Sequence, residues 1–126
     1  MQSYKDLEIY QISHKLAIQL HKMTVDRLPK FEMFEVGSQI RRAAKSIPAL
    51  IVEGFGRKQY QQEYIKFITY AIASCDETKE HLEILFETGS LTEVGLFEDL
   101  LIQYKDLGRK LYCFRESIKR SLQPEA

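Results

Sequence analysis

Apolar residues recur along this chain at spacings of three and four, in four runs separated by short polar stretches, and that period predicts helices. From Asp6 to about Arg27, Ile9, Ile12, Leu16, Leu20 and Met23 mark one buried face, and Leu28-Pro29-Lys30 ends the run. The second run, about Glu35 to Glu53, carries Ile40, Ala43, Ala44, Ile47 and Ile51 on one side. Pro48 inside it predicts a kink, and Gly54 is placed to act as a left-handed C-terminal cap. The third, Tyr60 to Thr88, aligns Tyr64, Phe67, Ala71, Cys75, Thr78, Leu82 and Leu85, with Gly89 closing it. The fourth, Gly95 to Leu122, repeats at Leu100, Tyr104, Leu107, Leu111, Phe114 and Ile118, the alternation of a bundle seam.

No run sustains a period of two, so the expected fold is all-α. The connections are short enough to force antiparallel neighbours, which makes residues 1–126 a single up-down-up-down four-helix bundle. Three apolar residues fall off these stripes: Ile18 lies nearly opposite Ile9, and Ile84 and Ile102 also point away from the expected core. On the second helix the face opposite Ile40 and Ile47 reads Arg42, Ser46, Ala49, Glu53, two small residues between opposite charges. Small residues permit close helix approach, so this stripe, with Ile18, is the expected subunit interface of a homo-oligomer.

Composition narrows the function classes. Eighteen Lys and Arg balance eighteen Asp and Glu, so no global field draws the molecule to nucleic acid or anionic lipid. Yet the charge is uneven: residues 1–35 balance, 36–60 carry +4, 61–104 carry −7 and 105–126 carry +3. Arg41, Lys45, Arg57 and Lys58 are the candidate phosphate contacts, to be joined by the basic residues of the last helix if it lies alongside. The amino terminus lacks the order of a signal peptide and no apolar run reaches membrane-spanning length, so the expectation is a cytoplasmic protein with no membrane contact.

A search for chemistry finds little. The Glu-x-x-His pairs of a di-metal bundle are missing, since Thr78 stands three residues before His81, and His14 and His21 are seven apart. Cys75 falls on the core stripe, where a thiol is desolvated, and Cys75 and Cys113 form no CxxC pattern. The Gly54-Phe55-Gly56-Arg57-Lys58 segment begins like a dinucleotide fingerprint, but Gln59 takes the place of the third glycine and the segment follows a helix. No catalytic residue, metal site, cofactor or small-molecule substrate is expected.

The segments DLEIYQISHKL, QIRRAAKSIPALIVEGFGR and EYIKFITYAIASCDE together resemble the bacterial four-helix-bundle family first noticed in intervening sequences of 23S ribosomal RNA genes. The middle block is the most specific, because bundle periodicity does not demand it. Tyr10 stands where the family favours Trp, and Leu50 and Val52 replace its Asn and Ala. The resemblance implies a bundle that assembles into a ring, typically a homopentamer, with no known enzymatic activity. A related retroelement accessory protein, a basic pentamer, binds RNA and reverse transcriptase. The ribosomal label follows gene location and implies no place in the ribosome. The expected function is a non-enzymatic, homo-oligomeric interaction module that binds RNA or a nucleic-acid-processing partner, serving the cell or a mobile element. The alternative is a protein-binding scaffold without nucleic-acid contact.

Overall fold

A computed structural model describes residues 3–122. It contains α1 (Glu8–Arg27), α2 (Val36–Phe55), α3 (Gln61–Glu87) and α4 (Val94–Leu122), with 3-10 turns at Tyr4–Asp6 and Lys30–Phe34. Each long helix begins and ends within two residues of the span its apolar period predicts. At about 1.5 Å per residue, α1 and α2 are roughly 30 Å long and α3 and α4 roughly 40 Å or more.

Side-chain contacts fix the helix directions. The Arg41 guanidinium at the start of α2 meets Thr24 at the end of α1 at 3.0 Å. Gly54 at the end of α2 faces Tyr64 and Phe67 at the start of α3. Cys75 Sγ donates to the Tyr104 carbonyl at 3.3 Å, and Arg115 Nη1 to Thr69 at 3.3 Å, so α3 and α4 run oppositely. Lys110 pairs with Glu8, and Arg27 with Glu93, each at 2.9 Å, which sets α4 against α1 in the same sense. The chain therefore goes up, down, up and down, and α4 returns to α1 to close a four-helix bundle.

The four stripes meet in one core. Leu16 and Leu20 of α1, Ile40, Ile47 and Ile51 of α2, Ile68, Leu82 and Leu85 of α3, and Leu100, Leu107 and Leu111 of α4 are all buried. Burial of such side chains, at roughly 1.5–3 kcal/mol each relative to exposure, is the dominant favourable term. Tyr104 lies wholly inside, and among the described residues its hydroxyl has no hydrogen-bond partner.

Two glycines have roles opposite to what sequence suggests for one of them. Gly89 is the left-handed one, at φ 82°, and it ends α3 as expected. Its N–H donates to the Phe86 carbonyl while Leu91 N–H donates to Leu85, satisfying carbonyls that the helix leaves open. Gly54 is not a cap. It is a buried residue inside α2, and a Cβ there would lie 3.1 Å from the Phe67 Cβ and 3.2 Å from Tyr64 Cδ1. The missing side chain lets α3 approach α2 closely, and α2 runs through Pro48 to Phe55.

The Lys30–Phe34 turn is the element that the apolar period does not predict. Its inward residue is Glu32, buried, whose carboxylate accepts from Val36 N–H at 3.1 Å and from Ser90 Oγ at 2.6 Å. Glu32 thereby satisfies an open amide at the start of α2 and ties the α1–α2 connection to the α3–α4 loop.

Candidate interaction surfaces

The four residues expected to contact phosphate do not form one site. Arg41 is half-buried and engaged within the chain: Nη1 donates to Thr24, and Nη2 donates to the Met33 carbonyl at 2.6 Å. It stands sixteen residues before Arg57, about 24 Å away along the α2 axis. Lys45 lies twelve residues before Arg57 on the same helix, about 18 Å away along the axis, and it lines a groove between α1 and α2 instead.

Arg57 and Lys58 stay together at the end of α2. The Arg57 guanidinium sits 4.6 Å above the Phe67 ring and donates to the Glu53 carbonyl at 3.0 Å, and Lys58 Nζ lies 4.1 Å above Phe55. Such cation–π contacts hold a charge in place without neutralising it. Among the described residues neither Arg57 nor Lys58 forms an ion pair with a carboxylate.

Because α4 runs antiparallel to α3, its last turns come to this same end. Arg115 lies against Thr69 of α3 and 5.3 Å above the Tyr112 ring; Lys119 shares Glu116 with Arg115, at 3.3 Å and 3.4 Å; Arg120 is exposed nearby. Lys66, paired with Glu63 at 3.0 Å, belongs here too. The result is a basic end that interleaves cations with Phe55, Tyr60 and Phe67, of which Tyr60 is largely exposed. The opposite end gathers Glu83 and Glu87 of α3, Glu93 of the loop, and Glu98 and Asp99 of α4.

The second surface is an apolar groove of about 440 Å³ between α1 and α2. Ile18 and Ala49, expected at a subunit interface, both line it, together with Tyr10, Pro48 and Val52, and with Lys22 and Lys45 among its charged lining residues. The other members of the expected interface lie outside the groove lining. Arg42 and Glu53 are exposed, and Ser46 is half-buried with its hydroxyl donating to the Ala43 carbonyl at 2.8 Å. The groove was partly legible in Tyr10, His14, Ile18 and His21, a second stripe on α1 at spacings of four, four and three. Tyr10 and His14 interact across one turn, hydroxyl to Nδ1, at 3.3 Å.

Other reactive groups are held inert or apart. Burial pushes the Cys75 thiol up to about 11, with Lys79 offsetting only part of the effect, and pushes Tyr64 up to about 12. Cys113 is an exposed free thiol on α4. Among the described residues no group of three or more His, Cys, Asp or Glu is placed to hold a metal ion, and no helix is long and apolar enough to cross a membrane.

These surfaces sit on the outside of an all-α four-helix bundle. A profile of the 23S rRNA-intervening sequence protein family matches residues 5–113, and the chain belongs to that family. The crystal structure of a protein of unknown function from the S23 ribosomal protein family of Bacteroides thetaiotaomicron superposes with a TM-score of 0.76 at 21% sequence identity. That match covers 85% of this chain and 97% of the other, and at such identity it speaks for the fold. A comparison with curated proteins returns no match.

Proposed function

We infer that this protein is a non-enzymatic binding module that self-associates through its α1–α2 face and presents its basic, aromatic end to RNA. One observation carries the RNA reading: Arg57 and Lys58, free of carboxylate partners, are fixed over aromatic rings where the cationic end of α4 converges. A backbone phosphate meets charge there, and an unpaired base meets an exposed ring such as Tyr60. A single chain offers few such contacts, whereas useful phosphate binding takes about six or more together. A ring of identical subunits, a homopentamer by family resemblance, repeats the patch and meets that requirement.

The test is a filter-binding titration of RNA over a salt series. Binding that falls steeply with salt is expected, with a log–log slope near −0.7 per phosphate neutralised on single strands. Arg57→Glu with Lys58→Glu should weaken binding and flatten that slope. Binding insensitive to salt, or unaffected by the double reversal, overturns the RNA reading. The second reading, a protein scaffold without nucleic-acid contact, is favoured by the apolar groove and predicts no RNA binding even at low salt.

A further inference from the structure

The Lys30–Phe34 turn is inverted relative to an ordinary surface connection. Its carboxylate, Glu32, points inward, while Phe34 is 89% exposed, Phe31 55% and Met33 37%. Isolated exposed apolar residues are common, but three within four positions form a contiguous apolar knob. The knob is also held rigidly. Glu32 is fixed by Ser90 and by Val36 N–H, Arg41 grips the Met33 carbonyl at 2.6 Å, and Gly37 packs so closely that a Cβ there would lie 2.3 Å from the Glu32 carbonyl oxygen. A surface ordered in advance loses less entropy when it docks.

We propose that this knob seats in the α1–α2 groove of a second copy of the chain, with Phe34 entering beside Ile18, Pro48 and Ala49 and with Glu35 meeting Lys22 or Lys45. The proposal rests on the self-association reading above and names both sides of the contact. The two surfaces are complementary in apolar character and in charge: among the described residues Glu35, Lys22 and Lys45 form no ion pair within the chain, and Glu35 directly follows Phe34. A knob cannot reach its own groove. Val36 and Ala49 are thirteen residues apart on α2, about 20 Å along the axis, and the turn is pinned at its own end of the bundle. Two different patches joined head to tail make a heterologous contact, the kind that closes into a ring when the rotation permits.

The test uses Phe34→Asp as a knob-defective chain and Ala49→Glu as a groove-defective chain, with mass measured by light scattering and sedimentation. Both positions are exposed, so helical circular dichroism should match the wild type and a cooperative melt should confirm folding, with any fall in midpoint following from the lost assembly. The wild type should assemble at micromolar concentration, and each variant should weaken assembly by roughly thirtyfold or more, the effect of losing a central anchor. Mixing the two variants should produce a one-to-one dimer and nothing larger, because one intact knob and one intact groove remain. A monomeric wild type would overturn the self-association reading as well, leaving the groove to another protein. A wild-type oligomer unaffected by Phe34→Asp overturns the knob alone. Variants that are each monomeric and stay monomeric when mixed overturn the head-to-tail pairing.

Discussion

Cys75 shows how one side chain can be read from sequence, placed by structure and then tested. Its position on the α3 stripe already indicates a desolvated thiol, and the structure adds a donated hydrogen bond to the Tyr104 carbonyl at 3.3 Å. The folded thiol titrates near 11, above its ordinary value of 9.0. The unfolded chain therefore loses this proton first as pH rises, and the stability that the neutral thiol contributes is full below about pH 9 and is lost toward pH 11. At about 1.4 kcal/mol per pH unit, this one group is worth roughly 2–3 kcal/mol across that window. Denaturant unfolding at pH 8, 9 and 10 should show wild-type stability falling, and Cys75→Ala should flatten that limb; equal slopes would refute the assignment. Arg41 was not legible in this way. Its basic neighbours read as a patch, and only the three-dimensional path of the Lys30–Phe34 turn reveals that a carbonyl and a hydroxyl claim its guanidinium.

Among the elements, periodicity located all four helices because each buries one continuous face, and a period near 3.6 leaves little ambiguity over twenty or more residues. The errors fall where a residue's role depends on what another helix does. Gly54 resembles a cap in sequence because a second glycine and two cations follow it, yet its function is to let α3 come close. Gly108 of α4 offers the contrast: a Cβ there meets Lys79 Nζ at 3.6 Å and Cys75 Sγ at 3.7 Å, ordinary contact distances. Alanine at either position gains about 1 kcal/mol of helix propensity. At Gly54 the crowding against Phe67 and Tyr64 should cost about 1–3 kcal/mol. Gly108→Ala should therefore raise the urea midpoint and Gly54→Ala lower it; a stabilising Gly54→Ala would show that α3 is free to shift. The Lys30–Phe34 turn escaped sequence reading for a different reason. A buried Glu flanked by exposed Phe reverses the usual sign of the pattern, and a 3-10 turn is too short for a period to correct it.

For the whole molecule, zero net charge hides a bundle with a basic end and an acidic end. The segment sums indicated a dipole, and antiparallel packing turns it into geometry, since the end of α4 lies beside the start of α3. The same packing leaves the four seams unequal. The α2–α3 seam is the most extensive and α1–α4 the thinnest, and the latter is bracketed by Lys110–Glu8 and Arg27–Glu93, solvent-exposed pairs that contribute little. The bundle is in effect a book with α2 and α3 as its spine. Amide hydrogen exchange should find the slowest protons on the inner faces of α2 and α3, with α1 and α4 opening at lower free energy; uniform protection across all four helices would contradict it. A protein whose thinnest seam lies between α1 and α4 should part there first, exposing the inner faces of its outer helices while its spine stays folded.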